Sequence, residues 1–169
     1  METAKVVDMA RSDMSATAGK YLTFKLGTEA YGIGILKVQE IIGMMAVTHV
    51  PRIPEFIRGV INLRGKVIPV VDLRLKFGLE GHEDTERTCI IVVQVARDED
   101  RVTMGVIVDE VSEVLYIESS QIEPPPAFDS TVHTDFLLGM GKVGDKVVML
   151  LDVDKVLSRE EVDVTQEVA

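Results

Sequence analysis

The side chains that could do chemistry are few in this chain of 169 residues, and they are widely spaced. The three histidines, His49, His82 and His133, lack the HxH or HxxxH spacing of a zinc site. The single cysteine, Cys89, lies in an apolar run, so we interpret it as a small buried hydrophobic residue and not as a nucleophile. No Gly-x-Ser-x-Gly elbow is present. We therefore expect no catalytic residues, no metal and no cofactor.

One glycine pattern resembles a nucleotide site. Gly139, Gly141 and Gly144 match G-x-G-x-x-G, but a dinucleotide site needs a strand before this pattern and a helix after it. A strand-like apolar run, residues 146–151, follows instead. The pattern therefore predicts a hairpin turn. An enzyme that holds a small ligand at residues 139–144 is the rival interpretation, and failure to bind nucleotides would dismiss it.

Arg64 is a charged residue between two apolar strands, inside the stretch 59–73. A guanidinium stays ionised and has five fixed donors, so Arg64 is either held by a carboxylate or presented to a partner. Glu40 is the candidate carboxylate for a hydrogen-bonded ion pair. The aliphatic residues around 35–42 and 57–61 exceed what one small barrel needs. Either some of them line an exposed protein-binding groove or all of them belong to the core.

The composition is that of a globular domain with an acidic surface. Hydrophobic residues make up 46% of the chain and charged residues 27%, and the net charge is -10. Nucleic acids and anionic membranes attract clustered cations, so neither is an expected partner. The N-terminus lacks the apolar core of a signal peptide, and no run approaches the roughly 18 apolar residues of a membrane span. We therefore expect a cytoplasmic protein without direct membrane insertion.

Short strands are the elements that must position these residues. Turn signals recur about every ten residues, which favours an all-β barrel or sandwich. Strands are predicted at 21–26, at 31–42 with a break near 36–37, on both sides of the hinge 64–66 within 59–73, and at 88–96, 102–108 and 111–117. Residues 136–151 are predicted to form a strand, a turn and a second strand. Short helical segments are predicted at 72–77, 118–122 and 153–161. Residues 1–19 are expected to form a flexible N-terminal tail and residues 161–169 a loose C-terminal tail.

The chain contains an internal repeat. Tyr31–Ile42 aligns with Met104–Leu115 at an offset of 73, and Val67–Phe77 aligns with Val147–Leu157 at an offset of 80. The alignment predicts a duplicated unit of several strands that ends in a helical turn. Units this small bury little alone, so the two should pack across a shared apolar seam, for which residues 88–96 are the candidate. Arg64 is not repeated, because its counterpart is Gly144.

Several spaced motifs, from about Tyr21 to Leu157, closely resemble the CheW family of bacterial chemotaxis coupling proteins. They include Phe56-Ile-Arg-Gly-Val-Ile-Asn-Leu-Arg-Gly65, Ile68-Pro-Val-Val-Asp-Leu-Arg-Leu-Lys-Phe77 and Gly105-Val-Ile-Val-Asp109. The resemblance implies an all-β fold of two packed, intertwined SH3-like five-stranded barrels, here residues 20–160. It also implies a non-enzymatic adaptor of two-component signalling. Such an adaptor docks the histidine kinase CheA, through its regulatory domain, onto chemoreceptor tips and is recruited to membrane-associated arrays.

The resemblance also implies two binding surfaces. The receptor tip would lie in the groove between the barrels, formed by Ile35, Val38, Gly59, Arg64, Cys89, Ile90 and Val111. The kinase would contact the first barrel near Glu40, Gly43 and Val47, where Gly43-Met44-Met45 departs from the family pattern. One alternative stays open, a CheW-like scaffold of a non-motility chemosensory pathway. A CheW-like domain of a larger signalling protein is a rival that we do not expect, because 169 residues with both barrels leave no room for a kinase or receiver domain.

Overall fold

The computed structural model describes residues 18–79, 83–97, 100–125 and 136–157. The strands among these residues are β1 (Gly19–Leu26), β2 (Glu29–Gly34), β3 (Val38–Gly43), β4 (Ile57–Leu63), β5 (Lys66–Asp72), β6 (Cys89–Arg97), β7 (Asp100–Val108), β8 (Glu110–Ile117), β9 (Ile122–Glu123), β10 (Leu137–Val143) and β11 (Lys146–Leu151). Two short helices, α1 (Leu73–Lys76) and α2 (Val153–Val156), follow β5 and β11. Two 3-10 turns cover Ile35–Lys37 and Ser119–Gln121.

These strands form two packed sheets. The first sheet has the order β3-β6-β7-β5-β4, and the second has the order β8-β1-β2-β11-β10-β9. In the second sheet β8 and the two-residue β9 lie at opposite edges, and a 3-10 turn joins them. The two act as one interrupted strand that closes a five-stranded barrel. In the first sheet the bridge between Thr48 and Val60 makes the equivalent closure. The predicted all-β fold of two packed five-stranded SH3-like barrels with short helices is confirmed.

The repeated units exchange their first two strands. β2 of the first unit runs parallel to β11, and β7 of the second unit runs parallel to β5. Gly32 lies opposite Leu150, and Gly105 lies opposite Val70. These two pairs are related by the repeat offsets of 73 and 80, so the registers of the two halves are the same. Each unit therefore needs the other to complete its sheet.

The largest hydrophobic core lies between the two sheets, and β6 contributes to it. Ile91, Val93 and Val95 point into this shared core, whereas Ile90 and Val92 point into the core of the first barrel. Successive side chains of a strand alternate between its faces, so one apolar strand can supply both cores. The predicted seam strand thus contributes one of its faces to the contact between the barrels.

Local signals account for the short helices and turns. Asp72 caps α1 by accepting a hydrogen bond from the backbone N–H of Arg74, and Asp152 caps α2 in the same way through Asp154. The predicted break near residues 36–37 is the 3-10 turn after β2. The glycine pattern at 139–144 forms β10 and the hairpin turn after it, as predicted. The tails predicted at 1–19 and 161–169, and the end of the helix predicted at 153–161, lie mostly outside the described residues.

Candidate protein-binding groove and charged clusters

Four of the predicted receptor contacts border the shared core and remain partly exposed. Ile35, Val38, Cys89 and Val111 pack against this core without being fully buried. Val38 lies opposite Val93, which points toward the second barrel, so Val38 faces the same way. Burial raises the pKa of the Cys89 thiol, which fits its interpretation as an apolar residue. These side chains form a partly exposed apolar wall at the junction of the barrels, and the receptor groove that the resemblance implies there stays a prediction.

Ile41 belongs to the same wall, although the sequence interpretation did not place it among the site residues. It lies opposite Ile91, which faces the shared core, and 44% of its surface is exposed. Its counterpart in the second unit is Val114, which lies opposite Leu22 and is 48% exposed. Alternation with a period of two from Val38 would have placed Ile41 on the other face of β3. The irregularity of register between Val38 and Glu40 brings Ile41 onto the face of Val38, so only the structure identifies it.

Two of the predicted receptor contacts have no surface for a partner. Ile90 is fully buried in the core of the first barrel. Gly59 has a φ of 148°, and a Cβ atom on it would overlap the carbonyl oxygen of Thr48. Thr48 and Val60 exchange hydrogen bonds of 2.8 and 2.9 Å that close the barrel, so glycine is required where the two strands meet. Both residues therefore support the fold of the first barrel, and their part in receptor binding stays a prediction.

Arg64 is both held by a carboxylate and presented to solvent. It lies in the turn between β4 and β5 and forms an ion pair with Glu40, as the sequence suggested. Its side chain is 65% exposed. It also has a φ of 53°, and its counterpart Gly144 has a φ of 62°. A residue with a Cβ atom pays about 1–2 kcal/mol for this left-handed conformation, whereas an exposed ion pair returns at most about 1 kcal/mol. Stability alone therefore does not explain an arginine here.

The predicted kinase contacts lie together at the end of β3. Glu40 points to the face of β3 that carries Ile42, away from the groove, while Gly43 is the last residue of the strand. Val47 packs against the core of the first barrel. Beside it, Met44, Met45, His49, Arg58 and Asp84 help to line an open depression. Methionine side chains are flexible and adapt to irregular surfaces, which suits a contact patch.

A buried charged cluster was missed by the sequence interpretation. Arg74 is 1% exposed and donates hydrogen bonds of 2.9 and 3.0 Å to the two carboxylate oxygens of Asp72. It also donates to Asp109 at 2.9 Å and to Asp84 at 3.1 Å. Arg58 donates to Asp72 at 3.1 Å and to Asp84 at 3.3 Å. Two guanidinium groups thus neutralise most of the charge of three carboxylates.

This cluster joins segments that are far apart in the chain. Asp109 connects β7 to β8, and its second oxygen accepts a hydrogen bond of 2.7 Å from the backbone N–H of Gly27, in the turn between β1 and β2. Burial alone would raise the pKa of Asp72, but hydrogen bonds from Arg74 and Arg58 outweigh it and hold that pKa below its usual value. The hydrogen bond from Arg58 is the main cause of the lowered pKa of Asp84. The cluster therefore ties both barrels together electrostatically.

Comparison with known proteins identifies the family. A family model described as CheW-like domain matches residues 20–161. The chemotaxis protein CheW of Klebsiella aerogenes is 45% identical over 150 residues, covering 89% of this chain and 88% of that protein. The chemotaxis protein CheW of Helicobacter pylori is 35% identical, covering 83% of this chain and 82% of that protein. The chain belongs to the CheW family, and the resemblance noted in the sequence is confirmed.

A solved structure agrees with this assignment. The scaffolding protein TtCheW from Thermoanaerobacter tengcongensis superposes with a TM-score of 0.74 at 36% sequence identity, over 86% of this chain and 96% of that one. These relatives support a chemotaxis adaptor role for the chain. Among the described residues, no helix is long and apolar enough to cross a membrane.

Proposed function

We propose that this chain is a non-enzymatic adaptor that couples methyl-accepting chemoreceptors to the histidine kinase CheA. The observation that carries the proposal is the alternation of β3. Val38 and Ile41 face the groove between the barrels, whereas Glu40 faces the opposite side, where it pairs with Arg64. One strand thereby contributes to two separate surfaces, which is what joining two partners requires.

The groove suits a receptor helix. Its wall of Val38, Ile41, Cys89 and Val111 is aliphatic and partly exposed, and an amphipathic helix docks by laying its apolar stripe into such a groove. The charged pair Glu40–Arg64 lies on the opposite face of β3 from this wall, so we assign it to the second surface and not to the groove. The chain would reach membrane-associated receptor arrays through this contact, from the cytoplasm.

The end of β3 suits the kinase. Gly43, Met45 and Val47 form a patch with apolar, adaptable side chains, and Met45 is 37% exposed. Gly43 lies on the same face of β3 as Ile41, at the edge of the wall, whereas Val47 packs against the core of the first barrel. We therefore propose that the kinase contacts this end of β3 and leaves the wall at Val38 open to a receptor. The regulatory domain of CheA is the partner that the family resemblance implies for it.

A matched pair of exposed valine and isoleucine positions tests the groove. Ile41→Asp places a charge on the groove wall, and Val147→Asp places the same charge at a similarly exposed position of β11, outside the wall. We expect Ile41→Asp to weaken binding to a receptor cytoplasmic fragment at least tenfold, about 1.4 kcal/mol, because a buried unpaired charge is costly. Val147→Asp should bind normally, and both variants should still bind CheA.

Binding is measured by isothermal titration with each purified partner, and ternary assembly by sedimentation. Equal loss of receptor binding in the two variants would place the receptor elsewhere than at the β3 face. Normal binding and normal kinase activation by Ile41→Asp would refute the proposed groove.

A further inference from the structure

A polar cavity opens at one end of the first barrel and encloses about 200 Å³. We call it the barrel mouth, and it is lined by Gln39, Leu63, Arg64, Lys66, Ile68 and Thr103. Gln39 lies near the start of β3, whereas Gly43 ends that strand. The mouth and the proposed kinase contact are therefore at opposite ends of β3.

Hydrogen bonds fix the amide groups at this mouth. The side-chain nitrogen of Gln94 donates to Oε1 of Gln39 at 2.6 Å and to Oγ1 of Thr103 at 3.0 Å. Gln39 thus uses its oxygen as an acceptor, which leaves its NH₂ group free to donate, and the hydroxyl hydrogen of Thr103 is also free to donate. The mouth therefore offers donors that suit an anionic oxygen.

A second cavity of about 230 Å³ lies beside the mouth, on the other side of Gln94. It is lined by Leu36, Lys37, Gln94, Ala96 and Arg101. We call the residues that line the two cavities the cationic surface. Its charged members are Lys37, Arg64, Lys66 and Arg101, all of them cations, although the net charge of the chain is -10. The positive charge of this surface is therefore a local exception on an acidic protein.

The positive charge of this surface is only partly compensated. Lys37 and Arg64 each form an ion pair with one carboxylate. Lys66 and Arg101 are exposed and form no ion pair in the described part of the chain. Glu40 accepts from a single guanidinium nitrogen of Arg64, so the other donors of this arginine remain available. Two whole cations and most of a third guanidinium fork can thus bind carboxylates from outside the chain.

The second barrel lacks this arrangement. Its equivalents of Arg64, Thr103 and Gln39 are Gly144, Ala30 and Ser112, whereas Lys66 is matched by Lys146. The arginine, the hydroxyl and the amide are therefore particular to the first barrel. Arg64 also keeps a left-handed backbone, with a φ of 53°, that its stability does not explain. Such strain is typical of positions whose side chain has a function.

We infer that the cationic surface binds an acidic segment of a protein partner, with one carboxylate in the barrel mouth between Arg64 and Lys66 and a second one near Arg101. The charges of the two sides are complementary. Two neighbouring cavities suit two carboxylates on one extended segment, in which alternate side chains point to the same side. The inference rests on the proposed function in one respect, because the Glu40–Arg64 pair belongs to its second surface, and it adds the chemistry of the partner there.

The inference is tested by fluorescence anisotropy, with a labelled hexaglutamate peptide as the probe and the full-length chain as the titrant. Lys66→Glu should weaken binding of the probe at least about fivefold, because an attraction is replaced by a repulsion. Lys146→Glu makes the same change of net charge at the equivalent turn and should alter binding less than about twofold. Added salt should weaken binding to the wild type, because it screens the attraction.

Several outcomes would overturn the inference. Equal losses in the two lysine variants, or binding that strengthens with salt, would show that the probe responds only to the net charge of the chain. Equal binding of a hexaglutamine peptide would exclude recognition of carboxylates. Displacement of the probe by glutarate at the same carboxylate concentration would make a free dicarboxylate the ligand.

Nuclear magnetic resonance of the ¹⁵N-labelled chain locates the contact. The side-chain amide signals of Gln39 and Gln94 should shift on addition of the hexaglutamate probe, and shifts confined to the turn at Lys146 would contradict the proposed site. Neither experiment contains a receptor or a kinase. A failure of the proposed groove, seen with Ile41→Asp, and a failure of the cationic surface therefore give different results.

Discussion

Replacing Arg64 with glycine separates the backbone cost of this residue from the role of its side chain. The φ of 53° costs a residue with a Cβ atom about 1–2 kcal/mol, and glycine adopts it freely. The Glu40 ion pair is lost, but the Arg64 side chain is 65% exposed, so this loss is at most about 1 kcal/mol. The relief of backbone strain and the loss of the ion pair change the stability in opposite directions. Arg64→Gly should therefore leave the free energy of unfolding unchanged or raise it by up to about 2 kcal/mol, measured by urea denaturation.

Binding should respond differently from stability. Arginine is enriched among the residues that dominate binding energy at protein interfaces, and truncating such a residue costs about 2 kcal/mol or more. We therefore expect Arg64→Gly to weaken ternary assembly with receptor and kinase more than tenfold, and to reduce receptor-dependent kinase activation accordingly. Arg64→Lys keeps the charge and the strained backbone but loses the planar fork, so it should recover only part of the activity.

The second barrel provides the control for this prediction. Gly144→Arg places the same side chain in the equivalent turn, where the φ of 62° should cost about 1–2 kcal/mol of stability without affecting assembly. Normal assembly by Arg64→Gly would refute a binding role for the arginine. A loss of stability above about 2 kcal/mol in Arg64→Gly would instead make its role structural.

Three further predictions concern the charged cluster and the closure of the first barrel. Arg74→Met leaves buried carboxylates without their main partner, so urea denaturation should show a loss of about 3–5 kcal/mol. The pKa values of Asp72 and Asp84 are lowered by folding, so their contribution is complete above about pH 4 and is lost as the pH falls through the lowered values. The acid transition of Arg74→Met, followed by circular dichroism, should therefore be shallower than that of the wild type. Gly59→Ala should lower the melting temperature far more than Gly65→Ala, because a Cβ atom at Gly59 meets the backbone of Thr48, whereas one at Gly65 points into open space. Similar losses in the two variants would contradict this reason.

The sequence by itself determined the features that depend on neighbouring residues. Alternation with a period of two predicted the strands, because side chains of a strand alternate between its faces whatever it pairs with. Asp72 predicted a helix start, because a cap needs only the backbone N–H groups that follow it. The repeat predicted two similar units from shared Gly and Asp positions. Even the pair Glu40–Arg64 was suggested, since Arg64 lacked a local partner and needed a carboxylate.

The tertiary structure alone decided which faces and which distant segments meet. The charged cluster gathers Arg58, Arg74, Asp84 and Asp109 from four separate segments, and no spacing in the sequence signals that they meet. The burial of Ile90 beside the partly exposed Cys89 likewise depends on which core each face of β6 enters. The exchange of strands between the two units explains both the charged cluster and the burial of Ile90. Local preferences make β1, β2, β6 and β7 into strands, but only the packing of two incomplete sheets determines that each pair completes the other unit.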